Sequence, residues 1–381
     1  MTISSTSQFT LLRHQIEIQK ALQRAVMKVQ NRAIASGAAG LQDYYGLIQY
    51  HLGWVDANFK PTESNPGKLL RPKLLLLAYE AAGAWGLDTT DTTDTTDTTD
   101  TTYLRRALPA AAAIELTHNF TLIHDDIQDS DAERRHRPTM WKLWGIPQAI
   151  NAGDGLFAMA RMALWDCLDE GVEGAIAARL GALLDQACIV LAEGQYLDIS
   201  FEEGQNISVA SYVDMIGRKT AALMGCAAEM GATLGTRDQQ TIERLHSFGY
   251  AMGVAFQVRD DLLGVWASTD QSGKTPAGDV YRRKKSLPVL HALEHANAND
   301  QQFLRRIYGQ ELPITRQQVE EILAIFTRTE TMVYCRAFLA EQCELAHKAL
   351  RSVPRVNNTV AARAMEDMET LTSFVEEATR D

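Results

Sequence analysis

Apolar residues recur at mixed spacings of three and four along most of the chain, the pattern of helices that bury one face. It predicts helices over residues 9–34 and 41–59, with Tyr45 and Trp54 in the core. A strongly apolar helix within 65–83 follows a break at Pro66 and Gly67. One long helix runs from Tyr103 to Asp129, and the loop after it ends at Pro138. Segments 146–170 and 173–203 are apolar over much of their circumference, which points to burial or a subunit interface. Further helices are expected over 206–233, 238–268, 286–296, 299–309, 314–328, 330–351 and 357–379. Alternating runs and hairpin turns are nearly absent, so the expected fold class is all-α.

Residues 88–102 break the pattern with five tandem copies of Asp-Thr-Thr. Low complexity and repeated like charge leave no face to bury, so the segment is expected to be a disordered surface loop inserted between two helices. The 381 residues could hold two average domains or one large helical domain.

Hydrophobic residues make up 46% of the chain, enough for a large core, and the formal net charge of −11 argues against nucleic acid as the main partner. An acidic protein that handles an anion must bring a metal or a local basic cluster. Cys167, Cys188, Cys226, Cys335 and Cys343 follow no regular spacing, which suits reduced, buried thiols in a cytoplasmic protein. The first residues, MTISSTSQFT, do not resemble a signal peptide, and no uninterrupted apolar run of about 18 residues suggests a membrane span.

The densest chemistry lies in ELTHNFTLIHDDIQDSDAERRHRPT, residues 115–139. Asp125 and Asp129 are four apart and share a helix face, with Asp126 beside them. Like charges at that spacing repel, so something positive should offset them. A hard divalent cation fits, and magnesium in particular is usually held by one or two carboxylates plus substrate phosphates. Arg134 and Arg135 add forked donors suited to phosphate oxygens. A solvated acidic helix end followed by a basic loop is the plainer alternative.

Other segments bear on that choice. Lys68, Arg71 and Lys73 crowd the start of a helix, where cations oppose the helix dipole but exposed N–H groups favour anions. Gln195 and Asp198 stand on an otherwise apolar helix, and Gly217-Arg218-Lys219-Thr220 is a polar break in another. A second acidic pair, Asp260 and Asp261, has Gly264 where a third carboxylate could stand. The loop after it holds Lys274, Arg282, Arg283, Lys284 and Lys285.

Taken in order, these motifs resemble the trans-prenyltransferases, or polyprenyl diphosphate synthases. The resemblance runs through GKLLRP (67–72), Glu115 and His118, DDIQD with RRHRPT, Gly153-Asp154, GQYLD, Lys219-Thr220, FQVRDDLLG, GKTPAGD and KKSLP. It implies one domain over 1–381 with the isoprenoid synthase fold: antiparallel helices around a deep cavity, with the acidic motifs facing each other at its mouth. It implies condensation of isopentenyl diphosphate with an allylic diphosphate (dimethylallyl, geranyl or farnesyl), with three Mg²⁺ ions, and a homodimer.

By position, the resemblance makes Asp125, Asp126 and Asp129 metal ligands on one wall, and Asp260 with help from Asp261 on the other. It puts Arg134, Lys219, Gln257 and Lys274 on the allylic diphosphate, and Lys68, Arg71, His118 and Arg135 on isopentenyl diphosphate. Lys284 joins the substrate-binding set, and Lys219, Thr220 and Gln257 are the catalytic candidates. Gly264 departs from members with a carboxylate there and implies looser metal binding at that wall. Phe120 and Thr121, five and four residues before Asp125, lie about 6–8 Å toward the cavity floor at the rise of an α-helix. An aromatic followed by a small residue at these places resembles enzymes that stop at geranylgeranyl diphosphate, with farnesyl and longer products as alternatives. A class I terpene cyclase shares the fold but needs only one diphosphate site, and a noncatalytic subunit would be expected to have lost aspartates.

Overall fold

The computed structural model describes residues 13–37, 40–62, 67–84, 102–204, 207–267, 277–310 and 312–377. Almost all of the Asp-Thr-Thr repeat, and Lys274, lie outside them. The helices are α1 Gln15–Ala35, α2 Leu41–His51, α3 Leu70–Ala81, α4 Leu108–Gln128, α5 Met140–Trp144, α6 Ile146–Trp165 and α7 Gly174–Glu203. Then follow α8 Val209–Ile216, α9 Ala222–Gly235, α10 Gln239–Trp266, α11 Gly278–Tyr281, α12 Leu287–His295, α13 Ala298–Tyr308, α14 Arg316–Arg328, α15 Thr331–Arg351 and α16 Thr359–Glu377. The all-α expectation holds.

Two hydrophobic cores organise the bundle. One gathers α1, α2, α4 and α6 around Ile18, Ile48, Ile114 and Leu156; the other gathers α10, α12 and α14–α16 around Phe248, Leu290, Ile322 and Leu339. Helices α3 and α9 belong to both, because their apolar residues run all the way round: Leu74 faces one core and Leu75 the other, as do Met224 and Leu223. In α9 nearly every residue is buried, and its small alanines and glycines let α3, α7 and α10 pack closely on it.

The local departures from the expected elements have identifiable causes. The second helix ends at His51, not near residue 59, because Gly53 adopts a left-handed conformation (φ 83°) and Val55 then bridges Pro61. The helix expected from Tyr103 begins as a 3₁₀ turn over Thr102–Arg106, and α4 proper starts at Leu108 with Pro109 in its first turn. A small antiparallel hairpin, β1 Glu133–Arg134 and β2 Arg137–Pro138, follows α4. Its loop residues Arg135 and His136 both have positive φ (53° and 60°), the backbone of a tight hairpin turn, although neither is a usual residue there. The helix expected over 206–233 is divided into α8 and α9 by a π-helical turn, Gly217–Ala221.

Helix α7 has no uninterrupted apolar run, yet its stretch Gly174–Glu202 is long and apolar enough on average to cross a membrane (mean hydropathy 1.7), with 33% of the apolar window buried in the bundle. The five cysteines are all free thiols, four of them buried.

Candidate active site

Helices α4 and α10 each bring an acidic pair to the mouth of a cavity of about 680 Å³, lined also by α3, α7 and the π turn. On α4, Asp125 faces the cavity, and burial pushes its carboxyl up to about 6 against the pull of Lys219. Asp126, one residue on, turns away from the cavity. It is 2% exposed and accepts a hydrogen bond from Arg134 Nε at 2.6 Å. Burial holds it at about 6 as well, despite that arginine. Asp129 caps the C-terminal end of α4 and is exposed.

The wall formed by α10 repeats this division of labour. Asp260 lines the cavity and is exposed, whereas Asp261 is fully buried. Its carboxylate accepts from Tyr212 Oη, from Gln257 Nε2 at 3.2 Å and from Lys284 Nζ at 3.4 Å. The first carboxylate of each pair is therefore presented to the cavity, and the second, buried, secures a cation: Asp126 holds Arg134, which lines the cavity, and Asp261 holds Lys284. Three carboxylates pointing at one small volume is thus not what α4 shows: Asp126 belongs to the wall. Nor does Gly264 leave a gap. A Cβ built there would lie 2.1 Å from Asp279 Oδ2, so the carboxylate of Asp279 occupies the space where a side chain would project. Lys284 sits between Asp261 and Asp279 (3.4 and 3.8 Å); burial opposes its charge, and the two aspartates outweigh that and raise its pKa.

A second, basic set lies on the same cavity. Lys68 and Leu69 precede α3, Leu69 in a left-handed conformation (φ 49°), and Arg71 stands in its first turn. Arg71 Nη1 is 3.1 Å from His118 Nε2. Burial and then Arg71 and Arg135 drive the His118 pKa well below its ordinary value, so the imidazole is neutral. Glu115, 3% exposed, is the counter-charge to Arg71, Arg135 and Lys73. Burial lowers the Arg71 pKa, while Glu115, Asp125 and Asp260 support its charge. Lys73 donates to the Lys68 carbonyl at 3.0 Å and is pushed down to about 8 by burial.

The π turn carries Lys219 and Thr220 into the cavity, as π insertions often do at functional sites. Gly194 of α7 makes room for it: a Cβ there would meet the Lys219 backbone nitrogen at 2.3 Å. Lys219 Nζ bonds Asp198 at 2.5 Å, and although burial opposes its charge, Asp198 and Asp125 hold the ammonium. Thr220 Oγ1 donates to Gln257 Oε1 at 3.1 Å, so Thr220, Gln257 and Asp261 form one hydrogen-bonded chain. Phe120 and Thr121 line the cavity below Asp125, and the Phe120 ring meets Phe157 of α6 edge to face at 5.1 Å.

Of the residues singled out in the sequence, Lys68, Arg71, His118, Phe120, Thr121, Asp125, Arg134, Arg135, Lys219, Thr220, Gln257 and Asp260 all line this cavity. Asp126, Asp261 and Lys284 stand behind its walls. Two further lining residues, Glu115 and Gln195, and Asp198, which holds Lys219, went without a role in the sequence. The Gln195 amide is buried on the cavity wall near Asp129. Among the described residues no three carboxylate, imidazole or thiol groups converge as a metal cage. Two opposed carboxylates, a buried amide and nearby cations instead fit a hard cation whose shell is completed by phosphate oxygens.

The polyprenyl synthetase family model matches residues 53–326. A (2E,6E)-farnesyl diphosphate synthase of Mycobacterium tuberculosis is 38% identical over 66% of this chain, an alignment that spans 64% of that relative's length. A geranylgeranyl diphosphate synthase of the same organism is 38% identical over 78% of this chain and 77% of its own. The crystal structure of a polyprenyl synthetase from Streptomyces coelicolor A3(2) superposes with a TM-score of 0.76 at 32% identity, covering 93% of this chain and 98% of that one.

Proposed function

The chain belongs to the polyprenyl synthetase family, and from that membership we propose that it is a trans-prenyltransferase that joins isopentenyl diphosphate head-to-tail to allylic diphosphates. The observation that carries this reading is the presence of two anion-binding sets on one cavity: opposed Asp125 and Asp260, and the separate group Lys68, Arg71, His118 and Arg135. A single diphosphate needs only one such set. Prenyl transfer brings two diphosphates together and expels only one, so one set suits metal-assisted departure and the other suits retention by fixed cations.

Asp125, Asp129 and Asp260 would hold Mg²⁺, three ions by analogy with the family, with Asp126 and Asp261 supporting them by fixing Arg134 and Lys284. Held there, magnesium would supply positive charge against that of the departing pyrophosphate. Arg134, Lys219, Gln257 and Lys274 orient the allylic diphosphate, and Lys284 steadies that wall. The carbon–oxygen bond breaks with its electron pair leaving on pyrophosphate. The double bond of isopentenyl diphosphate attacks the allylic carbocation, and a pyrophosphate oxygen takes the proton that is lost. Thr220 places its hydroxyl oxygen beside the reacting carbons, and its link to Gln257 keeps that geometry fixed, while Asp198 holds the Lys219 ammonium in place.

The product we assign is the twenty-carbon geranylgeranyl diphosphate, supported by Phe120 at the floor and by the geranylgeranyl diphosphate synthase among the relatives. We further propose a cytoplasmic homodimer. Exposed Ile146, Ile150, Phe157, Met162 and Trp165 on α6, with Ile189 and Ile199 on α7, form the apolar face it would cover, which gives α7 the place of cavity wall and interface instead of membrane span. The dephosphorylated products of wild type and Phe120→Ala, chromatographed against chain-length standards, test the assignment. Twenty carbons for wild type and longer chains for the variant are expected. A fifteen-carbon wild-type product, or an unchanged distribution in the variant, overturns the assigned floor.

A further inference from the structure

We infer that Arg137 is a positioning residue for isopentenyl diphosphate: with Tyr50 of α2 it clasps the hairpin that follows α4, and thereby holds Arg135 at the cavity. The inference rests on the prenyl-transfer reading above, and neither Arg137 nor Tyr50 lines the cavity itself.

The hairpin needs holding because its turn is unfavourable. Glu133 pairs with Pro138 and Arg134 with Arg137, which leaves Arg135 and His136 as the two turn residues. Both have positive φ (53° and 60°), the signature of a type I′ turn, where glycine and asparagine are preferred because a Cβ crowds the backbone. Such a backbone persists where its surroundings over-determine it. Here they do so from α2. The chain reverses at Gly53, and the carbonyls of Tyr50 and Val55 meet at the C-terminal end of α2, an end that favours a cation. Arg137 donates to both, Nη1 to Tyr50 at 3.3 Å and Nη2 to Val55 at 2.7 Å. Its guanidinium carbon also stands 3.9 Å from the centre of the Tyr50 ring. The clasp is reciprocal, since Tyr50 Oη donates to the Pro138 carbonyl at 2.8 Å. Tyr50 is buried and meets Trp144 of α5 edge to face at 4.9 Å, which makes it a fixed post.

What the clasp delivers is Arg135. Its guanidinium lies over Gly67, where an added Cβ would meet Nη2 at 2.9 Å, and it shares the counter-charge of Glu115 with Arg71. Arg134 is secured differently, because the Asp126 carboxylate holds it directly. Loosening β2 should therefore displace Arg135, on the isopentenyl diphosphate side, more than Arg134 on the allylic side.

The test measures initial rates of pyrophosphate release by the full chain with magnesium, varying isopentenyl diphosphate and geranyl diphosphate in turn. Arg137→Ala should raise KM for isopentenyl diphosphate roughly tenfold, raise that for geranyl diphosphate less than about threefold and leave kcat within about threefold, the pattern of lost binding instead of lost chemistry. Tyr50→Phe keeps the ring and loses only the bond to Pro138, so it should raise the same KM by about threefold. Placing His136→Gly in the Arg137→Ala chain should bring KM back toward wild type, because glycine favours the turn that the clasp otherwise holds. A general loss of packing at Arg137 would not be repaired by that second change. A wild type that makes product while Arg137→Ala or Tyr50→Phe leaves KM for isopentenyl diphosphate unchanged overturns the clasp alone. So does an equal rise in both KM values, or a double variant no better than Arg137→Ala. A wild type that makes no prenyl product overturns the clasp and the prenyl-transfer reading together.

Discussion

Each acidic pair assigns different work to neighbouring identical residues. Asp125 and Asp260 face the cavity, whereas Asp126 and Asp261 are buried on Arg134 and Lys284. If the cavity-facing members hold the metal that draws off pyrophosphate, Asp125→Ala or Asp260→Ala should lower kcat by about three orders of magnitude in a steady-state assay at saturating magnesium; near-normal rates would remove them from that role. Protonation offers a second check. The metal-free fold holds Asp125 at about 6, above the ordinary 3.8, so it binds that proton more tightly than the unfolded chain does. The contribution of this group to stability is therefore complete below about pH 4 and is lost as pH rises through about 6. Asp125→Asn should melt higher than wild type at about pH 7.5, by roughly 1–2 °C in calorimetry without metal, and the difference should vanish near pH 4. The sequence disclosed the pairs and the metal chemistry they suit, but not which member faces inward. A helix turns about 100° per residue, so that depends on how the helix is rolled against its neighbours.

At the scale of elements, helix identity was legible because the apolar period persists through nearly every segment. Interruptions were less so. The hairpin at Glu133–Pro138 uses Arg135 and His136 at positive φ in place of the glycine or asparagine that announces such a turn, and the π turn at Lys219 was visible only as a polar break. Its position depends on Gly194 of a different helix, a long-range contact that no local spacing reveals. Gly264 is a further case. Sequence comparison with members that carry a third carboxylate suggests a weakened metal wall, yet the carboxylate of Asp279 already fills that space. Gly264→Asp should consequently lower activity and melting temperature together instead of tightening magnesium, because two carboxylates would contest one buried position. A tighter magnesium dependence in a magnesium-titrated rate assay would contradict this packing.

For the whole molecule, the cavity is a product of having two cores joined by helices apolar on all sides. α3 and α9 belong to both cores, and the space between the α4 and α10 walls stays open because each wall ends in charge that cannot be buried against the other. The basic set at the start of α3 and the acidic walls then meet at one mouth, with Arg71 supported by Asp125 and Asp260 alike. The overall bundle was legible from periodicity and the family resemblance, whereas the depth of the cavity and its bracing by Phe157 come from contacts between α4, α6 and α7 far apart in the chain. The account stands most directly on the co-substrate dependence of pyrophosphate release, measured with an allylic diphosphate and magnesium in the presence and absence of isopentenyl diphosphate. Two working diphosphate sites predict rapid release, with a longer prenyl diphosphate formed, only when both substrates are present; release with a hydrocarbon product from the allylic substrate alone would contradict it.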